Sequence, residues 1–166
     1  MTPEQLIEKL GLQPHPEEGG FFRETWRSSE VIPPESVPVR YTGARSFGTC
    51  IYYLLTPDTF SAMHRLESDE VFHFYLGDMV EMLNLNGDGS GSRILLGSDI
   101  LAGQYVQAVV PRGVWQGCRL VDGGSFALMG TTVAPGFEFS DYEHGRRAEL
   151  IAGWPEYADI INKLTA

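Results

Sequence analysis

A chain of 166 residues, 43% hydrophobic and 20% charged, has the length and composition of one soluble globular domain with a sizeable core. Its formal net charge of −10 argues against nucleic acid as a partner, because duplex binding needs Lys and Arg to displace counterions. No apolar run reaches the ~18 residues of a membrane span, and the polar start Met1-Thr-Pro-Glu-Gln is not that of a secretory signal.

The chain opens with a predicted helix over 3–10. Thr2 is its N-cap, Pro3 its first residue, Gln5 completes a capping box and Gly11 ends it. Leu12-Gln-Pro-His-Pro-Glu-Glu-Gly-Gly is too rich in turn residues for any helix to cross, and Phe21 to Arg27 reads as a first strand. Residues 28–46, with Pro33, Pro34 and Pro38, read as a long loop. Strand candidates then follow at close spacing: 48–55, 59–66, 70–76, 79–85, 92–96, 105–110, 114–120 and 125–133. Turn signals such as Thr56-Pro-Asp, Gly77-Asp and Pro111-Arg-Gly separate them, which predicts an all-β sandwich, barrel or jelly roll. Helical spacing returns over about 146–164, with Tyr157, Ile160, Ile161 and Leu164 on one stripe. Cys50 and Cys118 sit in apolar, strand-like stretches and read as two buried thiols in a reducing compartment, so the cytoplasm is the expected location.

The residues that could carry chemistry gather in His64-Arg-Leu-Glu-Ser-Asp-Glu70. If the turn at Ser68-Asp69 returns the chain as a hairpin, His64 and Glu70 face one interior from neighbouring strands. They would then supply two metal ligands or an acid–base pair. Strict alternation from Glu70 puts Phe72 and Phe74 on the pocket face and His73 on the other, unless a bulge exchanges the faces. His15 and His144 read as surface residues without a role. Tyr53, Phe72 and Phe74 would supply the apolar wall of a small-molecule pocket, with His64, Glu70 and Gln116 as its polar groups. Arg23 and Glu24 join them if the first strand lies beside the barrel mouth, where Arg23 could hold an anion.

His64-Arg-Leu66, three residues, Glu70, six residues and Gly77 follow the frame of the first cupin motif, and Pro111-Arg-Gly113-Val-Trp-Gln116 follows the second. Gly19-Gly-Phe-Phe-Arg-Glu-Thr-Trp-Arg-Ser, Phe60 to Gly77 and Thr132-Val-Ala-Pro-Gly-Phe-Glu-Phe resemble the small cupin-5 subfamily of unknown function. The likeness runs from Leu6 to Leu164. It implies one cupin domain over 1–166: a double-stranded β-helix (jelly-roll barrel) over about 19–139 with short N- and C-terminal helices. It also implies a pocket in the barrel mouth and a homodimer. The general pattern has three His and one Glu. Here Leu66 stands at the second His, Gln116 at the last, and Tyr105 where the second motif opens with Gly. Leucine cannot ligate and an amide oxygen is a weak ligand, so no cofactor is favoured; a divalent metal, if one binds weakly, would take His64, Glu70 and Gln116, joined by His73 if a bulge turns it inward. The leading expectation is a small-molecule-binding protein, acting on a sugar or related polar metabolite. The alternatives are a metal-independent isomerase, epimerase or lyase using His64 and Glu70, and a metal-dependent dioxygenase or hydrolase.

Overall fold

The alternation of apolar and polar residues between turn signals becomes strands in the computed structural model, which describes residues 1–165. Helix α1 (Pro3–Leu10) comes first. Its capping box is closed, with Gln5 accepting from the Thr2 amide at 2.9 Å, and Gly11 ends it in the left-handed region. The strands are β1 (Gln13–Pro14), β2 (Phe21–Arg27), β3 (Val31–Ile32), β4 (Arg45–Ser46), β5 (Thr49–Leu55), β6 (Phe60–Arg65) and β7 (Asp69–Gly77). They continue as β8 (Val80–Leu85), β9 (Gly91–Leu96), β10 (Gln107–Val110), β11 (Trp115–Leu120), β12 (Ala127–Ala134) and β13 (Glu143–His144). Helices α2 (Arg147–Gly153) and α3 (Ala158–Lys163) close the chain. The segment 28–46, expected to be a loop throughout, carries the short β3–β4 ladder.

One sheet has the order β1-β2-β5-β12-β7-β10 and the other β13-β6-β11-β8-β9. From β5 to β12 the chain repeatedly passes between them, so β12 lies between β5 and β7, and β11 between β6 and β8. All these ladders are antiparallel, and the winding is that of a jelly-roll barrel. Inward residues at one end, among them Leu55, Phe72, Phe74, Met82, Cys118 and Met129, make a closed apolar core. Each large side chain buried there contributes about 1.5–3 kcal/mol. Outside the five-stranded sheet, Met63, Leu83 and Leu85 pack against Leu150, Ile160 and Ile161 of the C-terminal helices. Outside the other sheet, Leu6 of α1 packs with Leu12 on Leu54 and Leu128. Both cysteines are free, Cys118 in the core and Cys50 half-buried. None of the described helices is long and apolar enough to cross a membrane.

The motif glycine Gly77 ends β7 at φ 107°, where a Cβ would lie 2.3 Å from the Phe126 carbonyl oxygen, so only glycine fits.

Candidate functional site

The apolar filling stops short of one end of the barrel, and the polar residues of the first motif collect there. His64 and Glu70 do not share a hairpin. The chain crosses at Leu66–Ser68 from β6 in one sheet to β7 in the other, so the two side chains approach from opposite walls. His64 is 2% exposed, and its Nδ1–H donates to the Ala62 carbonyl at 2.7 Å. In the neutral imidazole Nε2 is therefore a lone-pair acceptor, and it has no hydrogen-bond partner among the described residues. The Tyr142 ring stacks on the imidazole, with centroids 5.0 Å apart.

Glu70 is 8% exposed. Burial pushes its carboxyl up to about 7; the nearby His64 charge and the Thr131 hydroxyl oppose the shift, and the Glu18 charge adds to it. A carboxyl in this range both donates and accepts protons near neutral pH.

Around this pair lies a cavity of about 90 Å³. Since about 10–15 Å³ holds one water, it has room for a small metabolite or the reactive end of a larger one. Its far wall is β2. A bulge at Thr25 shifts the register there, so Glu24 pairs with Ile51 and Arg27 with Thr49, all on the cavity side, while Trp26 turns outward. Arg27 spans Glu24 at 2.9 Å and Glu138 at 2.7 Å, and the Glu24 hydrogen bond raises its pKa further.

Residues 13–20 form a second wall. The His15 side chain is 5% exposed; its Nδ1 accepts from the Glu18 amide at 2.9 Å, its ring meets Phe22 edge-on at 4.7 Å, and burial lowers its pKa. Glu18 is anchored to β6 twice: its carboxylate accepts from the Ser61 hydroxyl, and its carbonyl accepts from the Ala62 amide at 2.8 Å. Gly19 permits this approach, since a Cβ there would lie 2.4 Å from the Phe60 carbonyl oxygen. Phe137, Glu138, Phe139 and Tyr142 complete the rim.

The expected site set is thus divided. His64, Glu70 and Glu24 line this cavity. Gln116, 1% exposed, faces a smaller recess of about 10 Å³ that it shares with His64 and Glu70, and neither amide atom has a partner. Arg23 lies outside, over the Tyr52 ring at 5.6 Å, because β2 alternation turns it away from the mouth. Tyr53 belongs to the core, its hydroxyl donating to the Gly19 carbonyl at 2.8 Å. Phe72 and Phe74 point inward as expected but sit in the apolar core and do not line the cavity. His73 faces outward, within hydrogen-bond reach of Thr132 at 3.1 Å and Gln107 at 3.2 Å. The β7 bulge falls at Tyr75, beyond His73, and leaves it outside. His15, expected at the surface, is a buried wall residue.

The surface position expected for His15 failed because its burial depends on contacts with distant strands. Arg27 was hidden by a bulge that alternation cannot show. The paired glycines 19–20 and the aromatic–acidic run Phe137-Glu-Phe139 were the available signals.

A metal ion does not fit these residues. Among the described residues no group of three or more His, Cys, Asp or Glu converges on a point that could hold one. His64 and Glu70 are two strong donors, Leu66 is inert, and His73 is on the other side of the sheet.

A family model described as "Cupin superfamily (DUF985)" matches residues 4–145. An uncharacterised protein of Saccharomyces cerevisiae is 31% identical over 147 residues, covering 84% of this chain and 73% of its own. A solved structure from Shewanella oneidensis superposes with a TM-score of 0.88 at 31% identity, covering 100% of this chain and 98% of that one. A hypothetical protein from Leishmania major gives 0.85 at 29% identity, with 99% of each chain covered. With the jelly-roll barrel and both motif frames, these matches place the chain in the cupin superfamily, in its DUF985 family.

Proposed function

We propose that this protein binds a small polar metabolite in the barrel mouth, without a metal, through His64 and Glu70. One observation carries the reading: an imidazole with a free Nε2 and a carboxyl with a pKa of about 7 face the same cavity from opposite sheets. His64 Nε2 has no protein partner and faces the cavity beside the Glu70 carboxyl, so a ligand with polar groups would find hydrogen-bond partners on both. The near-neutral carboxyl favours a second step, in which Glu70 and His64 exchange protons with the bound molecule as an isomerase, epimerase or lyase would. The free thiols suit a cytoplasmic setting. Homodimer formation would cover the edge of β2 beyond Phe22, which has no strand partner among the described residues.

The test is native mass spectrometry of the freshly purified protein, followed by calorimetry with any molecule recovered. Binding should weaken at least tenfold in His64→Ala and in Glu70→Gln. Incubation of the complex in deuterated water should then show exchange of a ligand C–H that both variants lose. Undiminished binding in both variants contradicts the site. Binding without exchange removes the proton-transfer step and leaves the binding role.

A further inference from the structure

We propose that the mouth cavity selects a small organic cation carrying N–H donors, a primary or secondary ammonium, over neutral and anionic molecules. This deepens the preceding reading and rests on it, because it assigns a ligand class to the same cavity.

The first support is charge. Glu18, Glu24, Glu70 and Glu138 line the cavity, against Arg27 as its guanidinium. Arg27 is already committed: it donates to Glu24 at 3.1 and 2.9 Å, to Glu138 at 2.7 Å and to the Phe137 carbonyl at 3.1 Å. An entering phosphate or carboxylate would meet the Glu18 carboxylate, two rim carboxylates that Arg27 only partly offsets, and Glu70 once it ionises, while Arg27 itself has little left to offer. Like-charge juxtaposition of this kind costs several kcal/mol.

The second support is independent of charge and comes from hydrogen bonding. The Ala62 carbonyl holds the proton of the neutral imidazole on Nδ1, so in that form Nε2 presents a lone pair on a residue 2% exposed. Glu70 offers carboxyl oxygens from the opposite sheet, and Glu18 has a second oxygen beyond the one that accepts from Ser61. His15 Nδ1 accepts from backbone amides, which leaves its Nε2–H as a donor 3.9 Å from Glu18 Oε2, and the Thr49 hydroxyl already accepts from the Phe137 amide. Acceptors thus outnumber donors on the floor. An ammonium, with donors and no acceptor, is its complement.

The third support is the aromatic lining. Phe22, Phe137, Phe139 and Tyr142 stand around the carboxyl groups. Ring faces attract a desolvated cation and give an anion nothing.

Full-length protein is titrated with four probes of similar size and observed by NMR: ethanolammonium, ethylene glycol, glycolate and tetramethylammonium. Few-atom ligands bind at millimolar levels at best, so titrations run to about 100 mM. Ethanolammonium should perturb the His64 and Glu70 signals and bind at least tenfold more tightly than glycol or glycolate. Tetramethylammonium, which cannot donate, should bind more weakly than ethanolammonium. Glu70→Gln should weaken ethanolammonium tenfold or more, and Glu138→Gln, on the solvent side of the rim, a few-fold; the second variant covers the case in which the first misfolds.

Glycolate or glycol binding as tightly as ethanolammonium overturns the cation assignment, yet leaves the small-molecule reading standing if His64→Ala abolishes that binding. Equal binding of tetramethylammonium overturns the donor requirement. No shift with any probe overturns the cation assignment. The small-molecule reading falls with it only if purified protein also carries no ligand by native mass spectrometry.

Discussion

Glu70 costs the fold stability whenever it ionises. Its folded pKa, about 7, lies above the ordinary 4.5, so between these values the native state holds a proton that the unfolded chain has released. Stability is then fully present below about 4.5 and is lost as pH rises through about 7, by on the order of 3 kcal/mol. His15, with its pKa lowered by burial, acts in the opposite sense as pH falls. The informative comparison is therefore between wild type and Glu70→Gln. Glu70→Gln should melt several degrees above wild type at pH 8.5 and close to it at pH 5, by calorimetry at both values. A difference that does not change with pH would show that the carboxyl is not desolvated. The inward aim of Glu70 and the outward aim of His73 were both legible, since they follow from period-two alternation along one strand. The stacking of Tyr142 on His64 was not, because those residues lie 78 positions apart in sequence and meet through β13 pairing with β6.

Among the elements, the segment after β12 holds the rim in place. Arg45 and Asp141 form a buried pair, 3% and 6% exposed, with Arg45 Nε donating to Asp141 at 3.0 Å and Nη1 to the Gly43 and Ala44 carbonyls at 3.0 and 2.9 Å. The pair ties the 28–46 segment to residues 137–142, which carry Phe137, Glu138, Phe139 and Tyr142 into the cavity wall. Asp141→Ala should leave a buried guanidinium unpaired, cost about 3–5 kcal/mol in denaturant unfolding and weaken ligand binding at the mouth. Stability within about 0.5 kcal/mol of wild type would mean that the pair is dispensable. Strand positions from β5 to β12 were readable because each has its own alternation and turn. The bulge at Thr25 was not, because the sequence Phe21-Phe-Arg-Glu-Thr-Trp-Arg alternates well without it, and only pairing with β5 shows that Arg27 replaces Trp26 on the inner face.

At the scale of the whole molecule, the short strands with regular breaks left a sandwich, a barrel and a jelly roll open, and the two motif frames with the resemblance they carry anticipated the barrel. The cavity was only half anticipated. Its walls at 13–20 and 135–142 are brought together by the closed fold, and no local pattern announces them. Trp26 is 50% exposed beside the unpaired β2 edge, and light scattering should give twice the chain mass at micromolar concentration; a stable monomer would contradict the dimer. Manganese, iron, nickel or zinc should leave the melting temperature unchanged. A metal at a hundred times its dissociation constant would add about 2.7 kcal/mol, or roughly 5–10 °C for this length. A rise of that size, lost in His64→Ala, would contradict the reading of an incomplete ligand set. The charge state of Glu70 sets what the mouth can bind and whether it can move a proton. A side-chain carbon NMR titration of Glu70 in the unliganded protein should give a midpoint near 7. A midpoint near 4.5, that of a solvated carboxylate, would mean the cavity lacks the poised acid on which the proposed function stands.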